Sequence, residues 1–391
     1  MFWKRRSYFD YAAGASGNPS SPHEEGRRAK KMLEDARTSI ARLVEVQSDD
    51  VLFTSGATEA NALAILGHVR ALRAEGRNDI HILYLPSAHA SVVENAKILE
   101  TENVSVEALP IKDCRVDTEA LAKALRSETA LITMDAVCGE TGVIWNTREV
   151  ANTIQAASKI PFSRSLEARQ PLATKTAFPS RPLLHVDASQ APLTEKITRA
   201  HFGADMLTLD ASKVGEVRGI GSLVAHRTIP LAPLYGGGGQ ERGLRPGSET
   251  PELAKEFAES LHAATHGREA FRASATRARA GLVRHLTPSI QNIFINESRT
   301  QAPHILNLSL PGRDTDYLVA LMDGEGFAVS TRSACETDSE EGSRAVLALS
   351  GNLERARATL RISWGPRARA SEFSRFAHTL VRAVAFIDNK G

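Results

Sequence analysis

The sequence predicts an α/β protein with a mostly parallel central sheet flanked by helices, followed by a smaller C-terminal α/β domain. Short apolar runs alternate with helical stretches between residues 51 and 225, the pattern of a parallel sheet covered on both faces. The chain has 391 residues, more than one compact core usually supports. Near residue 252 the character changes to a long Ala- and Arg-rich helical stretch. The expected division is a large domain over 14–251 and a small one built from 1–13 and 252–391.

Each element has a local reason. Ser21-Pro22-His23-Glu24 reads as a capping box, with Ser21 at the cap. Leu33, Ala36, Ile40, Leu43 and Val44 then give one apolar helical face. VLFTS is a strand and TEANALAILGHVRAL a helix; IHILYL and VSVEALPI are strands. Asp117 or Thr118 caps the helix DTEALAKAL. TALITMDAV, LLHVDAS, ADMLTLD and GSLVAH are strands, with helix TREVANTIQAASK after the first of them. Beyond the long helix come NIFIN, HILNLSL, helix DYLVALMDGEG, strand FAVST, helix SRAVLALSG, strand ATLRISW and a last helix, ASEFSRFAHTLVRAVAFI. Residues 161–182, Pro-rich and net basic, break the rhythm and read as a flexible surface insertion.

Composition narrows the function. Hydrophobic residues make up 42% and charged residues 24%, with a net charge of +2, which gives no general attraction to nucleic acid or a membrane surface. No apolar run reaches the ~20 residues that span a bilayer, and MFWKRRSYFDY lacks the apolar stretch of a secretion signal. Cys114, Cys138 and Cys335 lie far apart with no CxxC pair, which argues against structural zinc and a disulfide framework. A reducing cytoplasm is the expected compartment.

Ligands on parallel sheets bind at the carboxyl ends of the strands, so the strand ends carry the chemistry. VLFTS runs into Gly56-Ala57-Thr58-Glu59, a helix start whose free N–H groups favour a phosphate. IHILYLPSA ends at His89, LLHVDAS at Asp187 with Gln190 close behind, and MLTLDAS at Lys213. An anion cradle, a stacking ring, an acid and an amine at one sheet edge are what pyridoxal 5'-phosphate requires: phosphate on the helix, pyridinium nitrogen on the carboxylate, aldehyde on the lysine. Neither the GxGxxG of a nicotinamide site nor a Walker A motif is present.

GNPSSPH, FTSGATEAN, SAH at 87–89, HVDASQA, GGGQERGLRPGSE, STRSAC and LRISWG together resemble the class V aminotransferase-like fold and, within it, the cysteine desulfurases. The resemblance covers most of the chain and implies a PLP-dependent transferase fold. It implies Lys213 as the Schiff-base lysine and proton carrier, Asp187 on the pyridinium nitrogen, Gln190 on the ring oxygen, and His89 stacked on the ring. It places the phosphate at Ala57, Thr58 and Ser212, with Ser248 reaching the phosphate of a partner subunit in a homodimer. Arg361 would clamp the substrate carboxylate. Cys335, in the polar stretch STRSACETDSEEGSR, would take sulfur from L-cysteine, giving L-alanine and a persulfide for an acceptor in iron–sulfur assembly or tRNA thiolation. The acids around Cys335 should raise its thiol pKa. The alternatives are a transaminase or selenocysteine lyase of the same fold, or a degenerate, non-catalytic homologue.

Several departures touch the pocket. The family's Ser-x-His-Lys is here Asp210-Ala211-Ser212-Lys213, and its Asn-Asn-Glu is Cys138-Gly139-Glu140. A carboxylate repels a phosphate, so Asp210 must point away, be neutralised or weaken binding. DYAAGASGNPSS also lacks the family's helical segment before GNPSS.

Overall fold

The structure is a computed structural model that describes residues 7–157, 181–331 and 342–389. Cys335 and nearly all of the 161–182 insertion lie outside those residues.

Among the described residues, seven strands form the main sheet. These are β1 (Val51–Thr54), β2 (His81–Tyr84), β3 (Ser105–Ala108), β6 (Thr129–Asp135), β7 (Leu183–Asp187), β8 (Met206–Asp210) and β9 (Gly221–Ala225). A small hairpin, β4 (Ile111–Lys112) with β5 (Arg115–Val116), follows β3. The sheet order is β1-β9-β8-β7-β6-β2-β3. Only β9 runs against the rest, pairing antiparallel with both β1 and β8. Every residue of β6 and β7 is buried, as expected for central strands covered on both faces.

Helices α1 (Glu24–Val44), α4 (Ala90–Thr101), α5 (Thr118–Ala124), α6 (Thr147–Ala157) and α7 (Arg199–Phe202) surround this sheet. So does one continuous helix: α2 (Ala57–Ala62), a π-helical turn (Leu63–Gly67) and α3 (His68–Ala74). Leu33, Ile40 and Val44 of α1 are buried in the main core with Leu52, Leu63 and Leu83. Each buried side chain of this kind contributes roughly 1.5–3 kcal/mol.

The α1 start differs from the capping box expected at Ser21. His23 is the cap, its Nδ1 accepting from the Gly26 N–H at 3.2 Å. Ser21 instead donates its hydroxyl to Asp10 Oδ2 (2.7 Å), which His23 Nε2 also contacts (2.8 Å). The short N-terminal segment is thereby tied to the start of α1.

Helix α8 (Pro251–Ser289) is 39 residues long. Its first half contributes Phe257 and Leu261 to the main core, and its second half contributes Leu282 and Leu286 to a separate cluster. That second core lies on a three-stranded antiparallel sheet of β10 (Phe294–Ile295), β11 (Ile305–Ser309) and β12 (Thr359–Ser363). Around it are α9 (Thr315–Gly324), α10 (Arg344–Ser350), α11 (Leu353–Arg357) and α12 (Ala370–Asp388). FAVST is not a strand: its one ladder contact is an isolated bridge, Ser330 to Arg361. No helix among the described residues is long and apolar enough to cross a membrane.

Candidate active site

The sheet brings the predicted strand ends to one edge. Asp187 ends β7, and β8, its parallel neighbour, leads through Asp210 into Lys213. Asp187 is buried and held by two donors. Asn61 Nδ2 gives a 2.7 Å bond to Oδ2, and the Ser189 N–H a 2.9 Å bond to Oδ1.

Asn61 also donates to Ser91 Oγ at 2.8 Å, and Ser91 Oγ lies 2.8 Å from His89 Nδ1. A chain of hydrogen bonds thus joins the acid on β7 to the imidazole that caps α4. The sequence motifs do not single out Asn61 or Ser91, which carry this link. The signal was present: an Asn on the buried side of a helix wants specific partners.

Asp135 is a third residue outside those motifs. It ends β6 in register with Asp187 and is buried. Burial, reinforced by the neighbouring Asp187, pushes its pKa well above the ordinary value, so its neutral form is favoured. His185, two residues before Asp187, bonds Thr133 on β6 and Thr208 on β8, at 2.8 and 3.0 Å. Burial lowers its pKa to about 4, and it acts as a neutral strut between strands.

The anion cradle is at the start of α2. Gly221, which begins β9, packs directly on it: an added Cβ there would lie 2.8 Å from the Gly56 backbone. The GGGQERG segment braces β1, the strand that leads into this turn. Glu241 is buried, takes Arg37 on both oxygens (2.7 and 2.8 Å) and accepts the Phe53 N–H at 2.9 Å. Its role is to fix β1 and hence the turn that follows.

Asp210 does not point away from the cradle. Its Oδ2 accepts the Ala57 N–H at 2.8 Å, while Oδ1 accepts from the Ser212 N–H (2.8 Å) and Ser212 Oγ (2.6 Å). Thr58, Lys213, His89 and Ser248 are exposed.

The small sheet docks against the loop after β6. Arg361 on β12 is half-buried and reaches the Gly139 carbonyl from Nη1 at 3.3 Å, and Asn307 Nδ2 bonds the Glu140 carbonyl at 3.2 Å. Gln190 covers Gly139, so closely that a Cβ at 139 would meet its Nε2 at 3.0 Å. The residue replacing the family's Asn therefore makes room for Gln190. Cys138 is buried, and burial, with Asp135 next in importance, pushes its thiol up to about 11, which makes it an inert neighbour.

The residues present fit the ring of a pyridoxal group. The acid is already oriented, and two buried polar atoms beside it, Asn61 Oδ1 and Ser189 Oγ, have no hydrogen-bond partner. The phosphate end fits once Asp210 Oδ2 leaves the Ala57 N–H.

Comparison with known proteins agrees with this geometry. Residues 6–162 and 174–376 match the aminotransferase class-V family. Cysteine desulfurase IscS 1 of Archaeoglobus fulgidus is 29% identical over 352 residues, 89% of this chain and 85% of that one. A NifS/IcsS protein homolog of Lactobacillus delbrueckii subsp. bulgaricus is 32% identical over 338 residues, 85% of this chain and 81% of its own. Among solved structures, DndA from Streptomyces lividans is 30% identical with a TM-score of 0.70, covering 91% of this chain and 93% of its own. A NifS-like protein at 24% identity shares the fold, with a TM-score of 0.82 over 95% of this chain and 92% of its own.

Proposed function

The chain belongs to the aminotransferase class-V family, and from that premise we propose that it is a cysteine desulfurase dependent on pyridoxal 5'-phosphate. It converts L-cysteine to L-alanine and leaves the sulfur as a persulfide on Cys335. The observation that carries this reading is the fixed, buried Asp187 at the end of β7, with Lys213 on the next strand's exit and Arg361 at the adjacent loop.

When bound, the cofactor supplies an electron sink for bond cleavage at the substrate carbons. The chain's own residues do the rest. Asp187, oriented by Asn61 and Ser189, holds the ring nitrogen in its protonated form. Gln190 would meet the ring oxygen, and His89, which bonds Ser91, would stack on the ring. Ala57, Thr58 and Ser212 would hold the phosphate once Asp210 leaves them, with Ser248 of one protomer serving its partner. Lys213, at the exit of β8, would carry protons between substrate positions. Arg361 binds the substrate carboxylate.

The Cys335 thiolate attacks the substrate sulfur. The carbon–sulfur bond breaks, a sulfur–sulfur bond forms, and the carbon takes a proton to become the methyl of alanine; no external oxidant or reductant is consumed. The persulfide passes to a sulfur-acceptor protein for iron–sulfur assembly or tRNA thiolation. The working unit is a cytoplasmic homodimer, and the fold divides into a large domain over 14–251 and a small one over 1–13 and 252–391.

The test is alanine production from L-cysteine with added cofactor and a thiol reductant. Wild-type protein gives alanine and sulfide in equal amounts, and Cys335→Ala loses at least a hundredfold in rate. Undiminished turnover in Cys335→Ala would assign the site to another reaction of this fold.

A further inference from the structure

Asp210 gives the phosphate cradle an anion of its own. The Ala57 N–H has no partner within its own helix, at the start of the helix that runs from 57 to 74, where the macrodipole favours negative charge. Ser212 supplies two more donors, an N–H and a hydroxyl. One carboxylate engages all three, at 2.8, 2.8 and 2.6 Å. They are three of the groups that would hold the phosphate, beside Thr58.

The turn is closely packed around Asp210. Gly56, at φ 152°, lies close enough that an added Cβ would be 3.4 Å from Asp210 Oδ2, and Gly221 presses on the Gly56 backbone from β9. A carboxylate and a phosphate cannot share the Ala57 N–H: like charges at hydrogen-bond range repel, and the donor has one proton to give.

We propose that Asp210 is an intramolecular competitor of the cofactor's phosphate. It caps the cradle in the cofactor-free chain and must swing off Ala57 before the phosphate docks. The protein therefore holds pyridoxal 5'-phosphate loosely and exchanges it with solution. This rests on the reading of the site as a pyridoxal phosphate site. It adds that affinity is set by the difference between two anions, one of them built into β8.

The test compares wild type with Asp210→Ser and Asp210→Asn. Cofactor dissociation constants are read from quenching of tryptophan fluorescence, and the melting temperature of the cofactor-free protein is followed against inorganic phosphate. Asp210→Ser should bind pyridoxal 5'-phosphate at least tenfold more tightly, the equivalent of one hydrogen bond to a charged group. Phosphate should raise its melting temperature while leaving wild type unmoved. Asp210→Asn keeps the shape without the charge, so it should fall between the two and serves if the Ser variant folds poorly. Wild type binding the cofactor with no gain in either variant would overturn this proposal alone. Failure of all three proteins to bind it would overturn the proposal together with the reading of function beneath it.

Discussion

Replacing Asn61 with Ala tests whether the buried network at the strand ends is part of the site. Asn61 is fully buried and its Nδ2 makes two short bonds, 2.7 Å to the Asp187 carboxylate and 2.8 Å to Ser91. Losing a bond to a charged group costs roughly 1.5–3 kcal/mol, and a neutral one roughly 0.5–1.5. Against this, Asn61 Oδ1 is itself buried without a partner, and deleting it relieves roughly 1–3 kcal/mol. The net loss of stability in the cofactor-free protein is therefore small, about 1–2 kcal/mol. Cofactor affinity should suffer more, because Asp187 loses the donor that orients it toward the ring nitrogen. The expected weakening is about ten- to a hundredfold. Urea unfolding followed by circular dichroism gives the first number and fluorescence titration with pyridoxal 5'-phosphate the second. A folded variant that binds the cofactor within a factor of two of wild type would refute the reasoning.

Other outcomes follow from the same structure. Glu241→Ala leaves the Arg37 guanidinium buried without its carboxylate, so the protein should lose about 3–5 kcal/mol in urea unfolding; a loss below about 1 kcal/mol would show that the pair is not the brace of β1. Burial lowers the His304 pKa from 6.5 to about 4. Its folded-state value lies below its unfolded one, so its contribution is complete above about pH 6.5 and is lost as pH falls toward 4, roughly 3 kcal/mol in all. His304→Gln should therefore flatten the stability profile between pH 6.5 and 4, and an unchanged slope would remove His304 from the account.

Much of the sheet was legible in the sequence because several of its strands are apolar runs, the edge strand VLFT and the inner strands TALITMD, LLHVD and MLTLD, each entirely or nearly entirely buried. Periodicity does not encode direction, so the reversal of β9 was not visible. FAVST has the residues of a strand, yet its only ladder contact is at Ser330, where Arg361 bonds it from both backbone groups. Ser21 has the chemistry of a cap, but Asp10, 11 residues earlier, competes for its hydroxyl.

The sequence places Asp187, His89 and Lys213 at the strand ends, and the structure brings those ends to one edge of the sheet. The sequence does not show what joins them. Asn61, Ser91 and Asp135 act through partners 30 to 126 residues away, or across a strand register, and no local pattern records those pairings. Asp210 is the instructive case. The sequence raised its conflict with a phosphate, and the structure shows the side chain already seated on the Ala57 N–H.

The most direct measurement is chemical location of the cofactor. Protein loaded with pyridoxal 5'-phosphate is reduced with borohydride, digested, and its peptides weighed. The account predicts a phosphopyridoxyl group on Lys213, in the peptide that follows β8 and neighbours Asp187. A label on any other lysine, or none after saturation, would contradict it.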